Sequence, residues 1–376
     1  MHFSTLFAAA GLVASVAAGL LPRDSRVTVT RPHGDSAFPN VTPEQEQQIA
    51  IQAGGKLPGA PLPTKLGPGS TTAFQLIAFN ELFEVRFFES LLYNVTNGVA
   101  GYKIDHDERD EAVKIIKTVL AQEKQHALGA IATLKSAAKF APSPCKYRFP
   151  VNTLKDAIFL AETFTAIVLG ALQDANVVFS KEGLPEVVRL ISSVIGQEGE
   201  QNGFYRVYLN QVPSESPFLT TVPAAFAWSA LQGFVVPGTC KEEIRKIDLP
   251  IFPPLLVNNQ AVAKLEAEDR TLTFSATLKA SEKKRYKDED LYITYITGQQ
   301  LPYSVEADKV EWEGNTVTLK AEFPFSKLIA QGFTHAALTT SGSFSSPDDV
   351  VSKTLAAPGV IQVQNPLPNG GKDYSY

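Results

Sequence analysis

Cysteine is scarce in this chain, with only Cys145 and Cys240 among 376 residues. Two isolated cysteines exclude a zinc site built from paired thiolates. Each lies in a loop rich in proline or glycine, and in an oxidising compartment the pair is expected to form one disulfide. Such a bond would add roughly 4–5 kcal/mol on the chain-entropy model. The alternative is two free thiols.

Positive charge is also limited, because 34 Lys and Arg residues face 39 Asp and Glu residues, for a net charge of −5. This balance argues against a nucleic-acid partner, which requires a basic surface. The sequence has no phosphate-binding glycine loop and no nucleophile elbow. After residue 18, no run is long and apolar enough to predict a transmembrane segment. A hydrophobic content of 44% indicates a globular protein, and the length predicts two domains.

Residues 1–18 are apolar and rich in alanine, with small residues before Ala18. This pattern predicts a signal peptide and hence a secreted protein, extracellular or in the cell wall. The alternative is a membrane anchor. The sequons at Asn40 and Asn94 are candidate glycosylation sites, as expected of a secreted glycoprotein.

The hydrophobic pattern divides the rest of the chain. Residues 19–70 form a polar arm rich in proline and glycine, which we expect to be largely extended. Residues 71–240 have helical periodicity and predict a four-helix bundle with a short additional helix. The predicted helices cover residues 71–93, 107–136, 152–179, 184–210 and 224–234.

Alternating apolar and polar residues replace the helical pattern over residues 248–364. About seven short strands are predicted there, which is typical of a β-sandwich, and the polar tail 365–376 is expected to be disordered. The predicted fold class is therefore α+β, a helical bundle followed by a sandwich-like domain. The strand candidates include residues 271–278, 291–296, 310–312, 316–323, 334–340 and 359–363.

Four glutamates stand at positions of the helical pattern where apolar residues are expected. A buried carboxylate without a partner is costly, so it binds a proton or a cation. No Lys or Arg is apparent at the neighbouring core positions, and this favours bound metal. These glutamates, one on each predicted long helix, are Glu81, Glu123, Glu162 and Glu198.

The third residue after Glu123 is His126, which completes an E-x-x-H motif on one helix face. A di-iron or di-manganese bundle uses two such motifs and one further Glu from each of the other two helices. The second motif has Gln201 where histidine is expected, and Glu84 is an alternative to Glu81. The sequence leaves three states open: two metal ions, one ion, or a protonated polar core without metal.

Two segments carry a family resemblance. The stretch 62–84, which includes Phe79-Asn80-Glu81-Leu82-Phe83-Glu84, and the stretch 120–127, which contains the E-x-x-H motif, are similar to a group of fungal ferritin-like proteins. These proteins are named for nutritional stress response and late sexual development. The resemblance covers residues 60–240 and extends to the β-rich end. It implies a secreted or wall-associated protein with a ferritin-like bundle and no assigned enzymatic activity.

The wider superfamily includes plant and bacterial desiccation-related proteins. Resemblance to it implies a ligand set of Glu81, Glu123, His126, Glu162 and Glu198, from which Gln201 departs.

Three functions follow as expectations. The first is a secreted ferritin-like protein of fungal stress response or sexual development, with a degenerate metal site and a structural or protective role. The second is an active oxidase or peroxide scavenger with iron or manganese. The third is a cell-wall or surface-binding module that works through the sandwich. No oligomeric state is predicted.

Overall fold

The computed structural model describes residues 38–368, except the side chains of residues 107, 242 and 243. Within this range the chain is α+β, with long helices in the N-terminal part and two sheets in the C-terminal part. The predicted signal peptide, residues 1–18, lies outside the described residues. So do residues 19–37 of the predicted arm and residues 369–376 of the predicted tail.

Four long helices form the N-terminal part, and their ends lie within three residues of the predicted ends. Helix α2 packs mainly against α3, α4 packs mainly against α5, and contacts between α2 and α4 join the two pairs. The helices of this part are α1 (Pro43–Ala53), α2 (Pro68–Thr96), α3 (His106–Ser136), α4 (Leu154–Lys181), α5 (Pro185–Tyr208) and α6 (Ala224–Gln232).

Helix α1 corrects the expectation of a largely extended arm. The Thr42 side chain accepts a hydrogen bond from the Gln45 backbone N–H, and the Gln45 side chain accepts one from the Thr42 N–H. This capping box starts a helix, and Pro43 fits at its first position because no helical partner is needed there. The helix then packs against α3.

The core of the helical part is unusually aromatic. The Phe83 ring contacts Phe164 of α4, with centroids 5.4 Å apart, and Phe79 contacts Trp228 of α6, with centroids 5.0 Å apart. Helix α2 is covered by α3, α4 and α6, which explains why its sequence is apolar on most sides. Each fully buried Phe contributes about 1.5–3 kcal/mol.

A disulfide joins Cys145 and Cys240, with sulfurs 2.01 Å apart, as predicted. It connects the loop before α4 to the loop after α6. A 3-10 turn, Glu242–Lys246, follows this loop and leads into the sheets.

By length and composition alone, α4 could cross a membrane, but 78% of its most apolar window is buried inside the fold. It is therefore accounted for as the core helix of the bundle. No other helix of residues 38–368 passes the same test.

The C-terminal part contains two sheets with strand orders β1-β3-β7-β6 and β2-β9-β8-β4-β5. All pairs are antiparallel except β2 with β9. Phe274 of the first sheet and Tyr295 of the second belong to one buried core between the sheets. The strands are β1 (Leu256–Val257), β2 (Val262–Leu265), β3 (Arg270–Thr277), β4 (Tyr292–Thr297), β5 (Tyr303–Glu306), β6 (Asp308–Glu313), β7 (Thr316–Phe323), β8 (Gly332–Thr339) and β9 (Thr354–Val363), with short helices α7 (Ala280–Tyr286), α8 (Phe325–Leu328) and α9 (Pro347–Val351) between them.

Strands β8 and β9 are buried on both faces. Ala336 and Ile361 face the core between the sheets, whereas Phe333 and Val360 join the core of the helical bundle. The two parts of the chain therefore share a hydrophobic core. The predicted disordered tail also begins later than residue 365, because residues 365–367 form backbone hydrogen bonds with residues 210–212.

Candidate metal centre

Three of the four long helices bring acidic side chains to one point. Glu81 of α2, Glu123 and His126 of α3 and Glu198 of α5 each offer a ligand atom, and these atoms all lie within 4.8 Å of one another. His126 Nδ1 lies 3.1 Å from Glu123 Oε2 and 3.6 Å from both Glu81 Oε2 and Glu198 Oε1. Helical spacing explains the arrangement, because positions i and i+3 share one face.

A polar shell surrounds this group. Gln201 Nε2 donates to Glu123 Oε1 over 2.8 Å, and the Tyr205 hydroxyl donates to Gln201 Oε1 over 3.4 Å. Asn80 Nδ2 donates to Glu84 Oε1 over 2.9 Å. Gln201 thus contacts a candidate ligand as a hydrogen-bond donor, in the place where the sequence pattern expected a second histidine.

Burial dominates the electrostatics of the group. It raises the pKa of Glu81 to about 7, although His126 opposes the shift. It also raises the pKa values of Glu84 and Glu198 well above their ordinary range, and neighbouring carboxylates add to both shifts. Burial lowers the pKa of His126, but the hydrogen bond with Glu123 and the nearby negative charge of Glu123 and Glu81 outweigh it and raise that pKa strongly. Burial therefore favours the protonated form of Glu81, Glu84 and Glu198.

The carboxylates of Glu81 and Glu198 are the clearest sign that a partner belongs here. Both side chains are fully buried, and none of their four oxygens has a hydrogen-bond partner. Buried carboxylate oxygens are normally paired or coordinate a cation. Carboxylate and imidazole donors together suit iron or manganese. Glu81, Glu123, His126 and Glu198 therefore fit an ion of that class, with Glu84 beside them.

Glu162 does not join this group, contrary to the expected ligand set. Arg206 Nη1 lies 2.9 Å from Glu162 Oε1 and 3.4 Å from Glu215 Oε1, and all three side chains are buried. The expectation that no basic residue stands in the helical core was wrong. Arg206 lies on the same face of α5 as Glu198, because it follows Glu198 by twice the i, i+4 spacing. This spacing predicts that Arg206 is buried.

Two further basic side chains pair with a buried carboxylate outside the candidate centre. Arg86 Nη1 lies 2.6 Å and Lys124 Nζ 3.2 Å from oxygens of Glu89. Glu89 is buried and paired with both cations. The group around His126 gains no positive charge from these two residues.

A cavity of about 390 Å³ leads to the centre from the side of the arm. His126, Gln125 and Glu81 lie at its inner end, and Leu57 and Pro58 of the arm line its outer part. The first residues after α1 therefore stand at the entrance to the candidate centre.

A second cavity of about 490 Å³ lies between α2, α4, α6 and the five-stranded sheet. It is mainly apolar, and Glu81 and Asn80 stand at one end of it. Glu81 lines both cavities, so the candidate centre adjoins each of them.

The two predicted glycosylation sites differ in their exposure to solvent. Asn40 is exposed in the segment before α1. Asn94 lies in the last turns of α2 with 5% of its surface exposed, so a glycan there would not fit the folded chain. Burial against the loop after α2 argues against the predicted site at Asn94.

No family model matches the chain, and no curated protein matches it. The resemblance drawn from the sequence therefore stays an expectation, and the candidate centre is argued from its own geometry.

Proposed function

We propose that this protein is a ferritin-like metalloprotein that holds one iron or manganese ion with Glu81, Glu123, His126 and Glu198. The observation that carries the proposal is the set of four buried, unpartnered oxygens on Glu81 and Glu198, beside Glu123 and a single imidazole. A cation offsets the mutual repulsion of these carboxylates more effectively than scattered protons do.

A single ion fits better than two. In a dimetal bundle the second helix pair supplies another Glu and a second Glu-x-x-His motif. Here Glu162 is held by Arg206, and Gln201 offers an amide that already donates to Glu123. Both changes remove ligands from the half of the site that would hold the second ion.

The arrangement of the helices supports the ferritin-like part of the proposal. The long helices form two contacting pairs, and the connection between them, residues 137–153, is the longest in the bundle. One long crossover between helix pairs is a property of ferritin-like folds. The disulfide suits a secreted protein, which accords with a role in fungal stress response and a place in the cell wall.

Iron or manganese, when bound, supplies one-electron chemistry toward small oxidants. The residues of this chain would prepare the site for it. Gln201 orients the Glu123 carboxylate by donating to one of its oxygens, and Tyr205 in turn orients Gln201. The cavity beside His126 gives small molecules a route to the centre. We therefore propose a protective role rather than a purely structural one.

Metal analysis tests this proposal. Protein purified without chelator and reconstituted anaerobically with Fe²⁺ or Mn²⁺ should contain about one ion per chain. Glu198→Gln should abolish tight binding, because it removes a charged ligand while nearly preserving volume. The matched control is Glu200→Gln, two residues further along α5 on an exposed position, which should bind metal normally.

Absence of metal after reconstitution would overturn the proposal. Two ions per chain, both lost in the Glu198→Gln variant, would replace the single-ion site with a dimetal one.

A further inference from the structure

The larger cavity, between α2, α4, α6 and the sheet, has no role in holding the ion. Its volume of about 490 Å³ falls within the range of small-molecule sites, 300–1,000 Å³. It is bounded by both halves of the chain, because β9 closes the side opposite the helices. Its apolar walls include Leu76, Leu160, Phe164, Val168, Leu231 and Val360.

Part of the wall of this cavity is polar, and some of its buried polar atoms have no hydrogen-bond partner. Glu81 lines it with a fully buried carboxylate, and neither oxygen has a hydrogen-bond partner. Asn80 lies beside Glu81 on α2 and also lines the cavity. A molecule that filled the apolar walls would therefore bring its inner end against the candidate metal centre.

The other charged residues that line this cavity are mostly acidic. Asp174, Asp248 and Asp348 line it together with one cation, Lys181. The Thr221 hydroxyl donates to Asp174 Oδ1. Burial raises the pKa of Asp174 to about 6, Thr221 opposes the shift, and Asp348 adds to it. An anionic head group would meet net repulsion from these aspartates.

We propose that this cavity binds an elongated apolar molecule with an uncharged hydroxyl or carbonyl end, of the class of long-chain alcohols and aldehydes, in preference to fatty-acid anions. The apolar walls hold its chain, and the aspartates that line the cavity select against negative charge. Binding requires only the cavity, whereas a role for the bound molecule as a substrate rests on the proposed metal centre.

A displacement assay tests the ligand class. Nile red, a neutral apolar dye, should bind the full chain with increased fluorescence. 1-Dodecanol should displace it at a concentration about tenfold or more below that needed for dodecanoate, because the anion meets the carboxylates. Lack of dye binding, or displacement by dodecanoate at an equal or lower concentration, would overturn the proposal.

Two filling variants locate the bound molecule. Ala227→Phe places a ring in the larger cavity, and Ala130→Phe places the same ring in the smaller cavity beside His126. Ala227→Phe should weaken binding of the dye and the alcohol about tenfold or more, whereas Ala130→Phe should leave both unchanged. Loss of binding in the Ala130→Phe variant, with or without loss in Ala227→Phe, would overturn the assignment. Circular dichroism confirms that each variant is folded.

A surface variant keeps the test decisive if Ala227→Phe does not fold. Asp348→Lys changes an exposed residue at the cavity mouth and should improve dodecanoate binding about tenfold relative to dodecanol. Glu311→Lys is the matched charge control, because Glu311 is exposed on β6 in the other sheet. It should change the affinity for neither dodecanoate nor dodecanol. An unchanged preference in Asp348→Lys would contradict the proposed electrostatic selection.

Assays on metal-free and metal-loaded protein separate this inference from the proposed function. Metal binding without alcohol binding would refute the ligand site alone. If the protein binds the alcohol but takes up no metal on reconstitution, the ligand site stands and the metal centre is refuted.

Discussion

Arg206 of α5 and Glu162 of α4 form a buried ion pair, with Arg206 Nη1 2.9 Å from Glu162 Oε1. Arg206 also lies 3.4 Å from Glu215, whose second oxygen accepts a hydrogen bond from the Phe333 N–H in β8. The glutamate expected to bind metal therefore belongs to a polar junction between the bundle and the sheet. This junction explains why one carboxylate of the predicted set is absent from the candidate centre.

Replacement of Arg206 by methionine should destabilise the protein strongly. Glu162 and Glu215 would remain buried without their cation, and removal of one partner of a buried pair costs about 3–5 kcal/mol. Denaturant unfolding measures the change in free energy. Arg189→Met is the control, because Arg189 pairs with Glu186 at the exposed surface and should contribute less than about 1 kcal/mol. Similar losses in both variants would contradict this account.

Substitution of Gln201 by histidine should strengthen metal binding without adding a second ion. An imidazole next to Glu123 is a better donor than an amide, and we expect an increase in affinity of about tenfold. Stoichiometry should stay near one, because Glu162 remains paired with Arg206. Metal titration followed by elemental analysis measures both quantities. Two ions in the Gln201→His variant would show that Glu162 is available after all.

Metal-free protein should lose stability as the pH rises from 4.5 to 7. The pKa of Glu81 is about 7 in the folded chain, against an ordinary value of 4.5, so the folded state holds more protons in this window. Its contribution to the unfolding free energy is on the order of 3 kcal/mol. Unfolding in chelator at pH 5 and pH 8 should show this slope, and Glu81→Gln should reduce it. An equal slope in both proteins would contradict the prediction.

His335 should have the opposite effect at acid pH. Its Nε2 lies 2.9 Å from the Thr221 carbonyl oxygen and donates to it, and burial lowers its pKa to about 4. Because the unfolded chain titrates near 6.5, stability from this residue is complete above that pH and is lost as the pH falls toward 4. The loss is roughly 3 kcal/mol.

The variant His335→Gln tests this assignment, because an amide can still donate to Thr221 but does not titrate. Its unfolding free energy should depend less on pH between 6.5 and 4 than that of the natural chain. His106→Gln, at an exposed position at the start of α3, is the control and should retain the dependence. If the unfolding free energy of His335→Gln depends on pH as strongly as that of the natural chain, another group causes the loss of stability in acid.

The helical part was largely predictable from the sequence because its periodicity reports which face of each helix is buried. The apolar stripes correctly marked Glu81, Glu123, Glu162 and Glu198 as buried. Periodicity does not report the height of a residue along the bundle, which depends on the loops and on tertiary packing. For this reason Glu162 was assigned to the metal centre although it lies beside Arg206.

The strands were also predictable where one face is buried. In β3 and β7, alternate residues such as Leu272 and Leu319 enter the core, and the pattern matches the structure. Strand β9 is apolar over most of its length because both faces are covered, so only its end was recognised. The two cavities could not be predicted, since they depend on how helices and sheet meet.

The two-sided burial of β9 has a consequence for synthesis of the chain. This strand, Thr354–Val363, is synthesised after every helix of the bundle, yet Ala357 and Val360 complete the core of those helices. The nascent bundle therefore has an uncovered apolar face until β9 has been synthesised. A premature stop before β9 would harm the helical half as severely as the sheets, although it removes no helix of the bundle.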